Sequence, residues 1–227
     1  MSLPPLKECL SVGQSMRWAA DGHARMLQLG MEHKLGLLRD TFGGREPQTL
    51  STACSGIRAP ELSHRMMGAA LGINVRQLWA IENDSSCQAE ILQDQCSSDE
   101  SAHLVDDMAA LFHEQGIKDM SPDEARDFIL HAELKREVWC VKCQRVCTLQ
   151  RAHLHVAGTP CVHDSRYGTR KRTGGEHSWV FWTFVRQRMV MKEPFWIAEN
   201  VQEQGFTNKV IEHHVMHFHF LLLRSNT

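Results

Sequence analysis

Two short apolar runs, residues 50–53 and 75–81, flank a helix-compatible stretch around residues 62–71. Runs of this length suit buried strands better than helices, so the order reads strand, helix, strand. A strand that returns through a helix lies parallel to the first, which confines the chain to an α/β architecture built on a parallel sheet. A shorter third strand ends at Val105, before Asp106-Asp107, and residues 152–157 and 195–198 add two more. Ser121-Pro122-Asp123-Glu124 is a capping box with proline at the first helical position, opening a helix that runs to about Arg136. Residues 20–38 carry apolar side chains at roughly helical spacing before Gly43-Gly44 breaks them, so residues 1–48 are expected to form an N-terminal helical extension.

The chain has 227 residues, 42% of them hydrophobic, and a formal net charge of −2. It contains no apolar run near the ~18 residues a membrane helix needs, which excludes a membrane partner of that kind. Residues 49–227 read as one domain, with an acidic insertion at about residues 97–137. The eight cysteines are irregularly spread, and Met1-Ser2-Leu3-Pro4-Pro5 lacks a basic region followed by an apolar stretch. An intracellular, reducing location is the expectation: nucleus in a eukaryote, cytoplasm in a prokaryote or virus.

Charge is distributed unevenly. Residues 84–137 hold 14 acidic and 4 basic side chains, whereas residues 140–192 hold 10 basic and 2 acidic. The densest basic stretch, Arg166-Tyr167-Gly168-Thr169-Arg170-Lys171-Arg172, suits a loop whose cations meet phosphates.

An open parallel sheet forms its ligand crevice beyond the carboxyl ends of its strands. The residues expected there are Ser55-Gly56, Glu82, Asp107 and Cys161. A small residue and a glycine after the first strand let backbone approach a ligand. An acid after the second is placed to accept hydrogen bonds from ribose hydroxyls.

These residues carry a resemblance. Thr52-Ala53-Cys54-Ser55-Gly56-Ile57-Arg58-Ala59-Pro60-Glu61, Ile81-Glu82-Asn83-Asp84, Gly158-Thr159-Pro160-Cys161 and Ala198-Glu199-Asn200-Val201 resemble, in order, the first, second, fourth and sixth motifs of the S-adenosylmethionine-dependent DNA (cytosine-5) methyltransferases. The resemblance covers roughly residues 49–205 and implies a Rossmann-like methyltransferase sheet with flanking helices. It implies Cys161 as the nucleophile that adds to cytosine carbon-6, and Glu199 as the acid that engages ring nitrogen-3. It places Ser55, Gly56 and Ile57 around the methionine part of S-adenosyl-L-methionine, Glu82 on its ribose, Asn83 and Met108 beside its adenine, Asp107 near the adenine amino group and Pro160 beside the sulfonium. Asp106 is as good a choice as Asp107 on sequence. The implied partner is cytosine-containing duplex DNA, with RNA as an alternative. Its backbone would be held by Ser165, Arg166, Arg170, Lys171 and Arg172 while the target base leaves the stack.

The pattern also departs from the family. Cys54 stands where an aromatic residue is usual, and nothing in residues 202–227 matches the Gln-x-Arg-x-Arg motif and recognition region that follow the glutamate in the family. The chain therefore reads as C-terminally truncated, and an inactive protein that binds cofactor or nucleic acid is the alternative function. Oligomeric state is not legible. Cys140-x-x-Cys143-x-x-x-Cys147, with His153 and His155, offers enough sulfur and imidazole for zinc, but reduced, partly buried cysteines are the expectation, and no metal is assigned. The histidine-rich stretch His213, His214, His217 and His219 reads as an amphipathic end.

Overall fold

The computed structural model describes residues 18–44, 46–56, 58–93, 102–160, 174–201 and 220–225. They divide into two compact units, one holding the described residues up to Gln48 with Glu61–Arg76, the other Thr49–Pro60 with the described residues from Gln77 onward.

In the first unit, α1 (Trp18–Gln28) and α2 (Glu32–Phe42) replace the single helix expected over residues 20–38. The break lies at Gly30, whose φ of +68° is the left-handed conformation that glycine adopts without penalty. There Gly30 N–H donates to Leu27 O at 2.9 Å and Met31 N–H to Met26 O at 3.0 Å, closing α1. Most of α3 (Ala59–Leu71) belongs to this unit, where Leu35, Leu71 and Ile73 form a small buried cluster.

The second unit holds the sheet. Its strands are β1 (Gln48–Ala53), β2 (Val75–Ile81), β3 (His103–Val105), β6 (Leu154–Gly158), β7 (Phe195–Val201) and β8 (Phe220–Ser225), in the order β3-β2-β1-β6-β7-β8. Every neighbouring pair with a described register is parallel: β2 with β3, β1 with β6, β6 with β7, and β7 with β8. The expected α/β class and parallel sheet are therefore present. β1 is buried at every position after its first, as a central parallel strand must be. From β1 the chain builds outward to β2 and β3, and from β6 it builds the other way to β7 and β8. The strand order thus reverses between β1 and β6, the switch point where an open α/β sheet forms its crevice.

Between β3 and β6 lie two short 3-10 turns, Met108–Leu111 and Ile117–Asp119, helix α5 (Pro122–His131) and an antiparallel hairpin of β4 (Glu137–Cys140) and β5 (Arg145–Thr148). The segment read as an insertion is part of the main core, to which it contributes Leu111, Phe112, Ile117, Ala125 and Ile129. The capping box at Ser121 and Glu124 forms as expected. Helix α5, however, ends at His131 rather than near Arg136. Ala132 turns extended, its carbonyl accepts from Arg186 Nε at 2.9 Å, and Lys135 N–H donates to Leu111 O at 2.8 Å. These partners satisfy backbone groups that a longer helix would have used internally.

Helix α4 (Ser85–Gln93) follows β2, and α6 (Ser178–Met191) precedes β7. α6 is buried around most of its circumference, so it has no single apolar stripe. No helix among the described residues is long and apolar enough to cross a membrane.

Candidate functional site

The turn after β1 departs from ordinary backbone at three residues: Cys54 has φ +52°, Gly56 φ +53° and Arg58 φ +68°. The turn is held by Ser55, whose N–H donates to Ile81 O at 3.3 Å and whose hydroxyl lies 2.7 Å from Thr52 Oγ1. This folding-back aims the Gly56 N–H at the end of β2, where Glu82 Oε2 accepts it at 2.7 Å. The other oxygen, Oε1, accepts from Asp84 N–H at 2.9 Å. One buried carboxylate thus ties the loop after β1 to the loop after β2. A carboxylate offers about four lone-pair sites, so each oxygen keeps acceptor capacity for a further hydroxyl.

At the end of β3, Asp107 caps the following 3-10 turn by accepting from Ala109 N–H at 2.8 Å, and it pairs with Lys118. Asp106 is exposed and Asp107 half-buried, so the structure separates two residues that sequence left equivalent.

These strand ends surround a cavity of about 180 Å³ lined by Cys54, Ile81, Glu82, Asn83, Asp107, Met108, Pro160, Trp179 and Val180. Five of the residues singled out from sequence meet here: Glu82, Asn83, Asp107, Met108 and Pro160. Ser55 and Gly56 instead shape the turn behind Glu82. Ile57, Cys161, Ser165, Arg166, Arg170, Lys171 and Arg172 lie outside the described residues, as do the histidines at 213–219.

The lining combines the carboxylates of Glu82 and Asp107 with apolar and aromatic groups, a mix that suits a polar molecule carrying a flat ring. Trp179, at the start of α6, and Cys54 were not expected as cavity residues. In the sequence Trp179 stands just ahead of the aromatic residues Phe181, Trp182 and Phe184. Its ring also carries Lys118 Nζ at 5.7 Å from the centroid. Burial, followed by the charges of Glu82 and Asp107, pushes the Cys54 thiol up to about 12. Cys54 is therefore a neutral packing group with its sulfur 4.0 Å from Met108 Sδ, not a nucleophile.

Glu199 lies on β7, paired in register with Gly158 of β6. A Cβ placed on Gly158 would sit 3.6 Å from Glu199 Oε2 and 3.8 Å from the Cys54 carbonyl, which puts the Glu199 carboxylate next to the chain leading to Thr159-Pro160. The register of β6 and β7 thus brings together Gly158 and Glu199, which are far apart in sequence.

The histidines weighed as metal ligands are engaged elsewhere. Thr49 Oγ1 lies 2.8 Å from His153 Nδ1, and Ser51 Oγ lies 2.8 Å from His155 Nδ1. His155 is fully buried between Trp79 and Phe184, with ring centroids at 5.4 and 6.0 Å. The hairpin cysteines instead face His103, a residue not considered from sequence because nothing in its spacing links it to them. A larger cleft of about 610 Å³, lined by groups such as His113, His131 and Arg186, contains none of the motif residues. No protein-family model and no curated protein matches this chain.

Proposed function

We propose that this chain is an S-adenosylmethionine-dependent methyltransferase acting on carbon-5 of cytosine in DNA. The observation that carries the reading is the convergence of motif residues from the ends of β1, β2, β3 and β6 at one cavity beside the switch point of a parallel sheet.

The donor set suits the cofactor. Glu82 has free acceptor capacity for ribose hydroxyls, and Ile81, Met108, Trp179 and Val180 offer apolar surface to an adenine ring. At about 180 Å³ the cavity lies below the ~300–1,000 Å³ of complete ligand sites, so it accounts for part of such a cofactor. When bound, S-adenosylmethionine supplies the methyl group.

The chain's own residues would then act on the base. The Cys161 thiolate adds to carbon-6, forming a carbon–sulfur bond and moving the electron pair onto carbon-5, while Glu199 protonates or hydrogen-bonds ring nitrogen-3. After methyl transfer, loss of the carbon-5 proton restores the ring double bond and expels the cysteine thiolate. The base must first leave the stack, at a cost of a few kcal/mol. The basic residues Arg166, Arg170, Lys171 and Arg172 follow Cys161 closely in sequence and would hold the backbone by charge.

Labelled S-adenosylmethionine, incubated with the purified chain and cytosine-containing duplex DNA, tests this reading. Label should reach carbon-5 with the native chain, vanish with Cys161→Ser, and fall by about 10²–10⁴-fold with Glu199→Gln. DNA carrying 5-fluorocytosine should become covalently linked to Cys161, because fluorine blocks the final elimination. Cofactor binding without transfer to DNA or RNA would overturn the proposal in favour of a binding protein, and transfer to RNA alone would correct the substrate.

A further inference from the structure

Outside the cavity, four metal-type ligands converge. His103 opens β3, Cys140 ends β4, Cys143 lies in the hairpin turn and Cys147 lies on β5; their ligand atoms all fall within 4.8 Å of one another. Cys143 Sγ is 3.4 Å from His103 Nδ1, and Cys140 Sγ is 3.8 Å from it. In a tetrahedral zinc centre with Zn–S near 2.3 Å and Zn–N near 2.0–2.1 Å, a sulfur and a nitrogen ligand stand about 3.5 Å apart. The observed separations bracket that value.

The surrounding backbone is built in the same sense. Cys140 Sγ receives the N–H of Cys143 at 3.3 Å and of Leu104 at 3.4 Å, and donors aimed at sulfur favour its thiolate. Gln144, with φ +52°, turns the chain so that Cys140 and Cys143 lie together while Cys147 returns opposite Val138. Cys140 and Cys147 are buried, and all three sulfurs are free thiols. Lys142 and Arg145 stand beside Cys143 in the hairpin sequence, and their positive charges would offset the net negative charge of a three-thiolate zinc site.

We propose that His103, Cys140, Cys143 and Cys147 bind one zinc ion in a closed tetrahedral structural site that fastens the β4–β5 hairpin to β3. Binding takes three thiolates and a neutral imidazole, and it releases the thiol protons to solvent. The site has a mechanical role. β3 is only three residues long, and besides the sulfur–imidazole contacts of His103 the described links between it and the hairpin turn are Val141 N–H to Leu104 O at 2.7 Å and the Leu104–Cys140 bond. Asp107 follows His103 by four residues, so the metal would set the position of the cavity edge. None of this depends on the methyltransferase reading.

The full chain, purified without chelator and free of any affinity tag, should contain about one equivalent of zinc. Cobalt(II) in its place should show the d–d bands of a tetrahedral centre with sulfur-to-metal charge transfer. Cys143→Ser and His103→Ala should each lose the metal, whereas His103→Cys should keep about one equivalent with stronger charge transfer. That last variant separates ligand loss from misfolding. Chelation should lower Tm, and zinc alone should restore it. Zinc below about half an equivalent, zinc unaffected by both ligand removals as the histidines at 213–219 would give, or a Cys140–Cys143 disulfide in the freshly isolated chain would each overturn the site.

Discussion

Glu82 Oε2 accepts the backbone N–H of Gly56 at 2.7 Å, joining the end of β2 to the turn after β1. The bond is charge-assisted, and Glu82 is buried. It links a local feature, a glycine in left-handed backbone, to a tertiary one, the adjacency of two strands.

Glu82→Gln should keep the fold while weakening this tie, because a neutral amide oxygen can face only one of the two N–H donors. Hydrogen bonds to charged groups contribute about 1.5–3 kcal/mol. Affinity for S-adenosylhomocysteine, measured by calorimetry, should therefore fall about 10–100-fold. Unchanged affinity would remove Glu82 from the site.

Arg188 and Glu193 form a fully buried ion pair, with Nη1 2.8 Å from Oε2 and the guanidinium 5.5 Å from the Phe184 ring. Replacing one partner strands a charge in the core, so Arg188→Met or Glu193→Leu should each cost about 3–5 kcal/mol in urea unfolding. The double variant should recover most of the loss. If the two losses simply add, the pair is not coupled.

Two glycines should respond differently to alanine. A Cβ at Gly68 would lie 2.8 Å from the Ile73 carbonyl and 2.7 Å from Val75 Cγ1, and the carbonyl cannot swing away. Gly68→Ala should lower Tm although alanine normally gains ~1 kcal/mol over glycine in a helix, because overpacking costs about 1–3 kcal/mol. At Gly158 the nearest atoms would be at 3.6 and 3.8 Å, ordinary contacts, so Gly158→Ala should fold with little change in Tm. Thermal unfolding of both variants checks the contrast.

Burial pushes His64 down to about 4 from 6.5, and burial with the nearby Arg188 charge holds His155 well below its usual range. Both native imidazoles refuse protons that the unfolded chain accepts. Their stabilisation is therefore present above about pH 6.5 and is lost as pH falls through the window below it, down to about 4 for His64, at up to ~1.4 kcal/mol per pH unit for each histidine. Urea midpoints should drop between about pH 7 and about pH 5, and His64→Asn should flatten the slope. An unchanged slope in that variant would refute the assignment.

Much of the fold was legible because strand formation is written in local pattern. Residues 75–81 read as a strand and are β2, and Ser121 to Glu124 read as a capping box and form one. Failures occurred where a distant partner or a single residue's backbone conformation decides. Helix α5 stops at His131 because Arg186 and Leu111 capture the backbone beyond it. The N-terminal helix divides because Gly30 takes a left-handed turn that apolar spacing does not record.

By itself, the sequence determined the parallel α/β class, the positions of Glu82 and Asp107 just past their strands, and the residue types available for chemistry; Glu199, expected just past a strand over residues 195–198, lies inside β7. Only the tertiary structure decided which of them meet. Strand order and register set Glu199 beside Gly158, separated Asp107 from Asp106, brought Trp179 to the cavity, and gave the hairpin cysteines His103 in place of His153 and His155. Periodicity reports which face of an element is buried. A pairing between residues far apart in the chain depends on which elements pack together, and the spacing within each element carries no record of that.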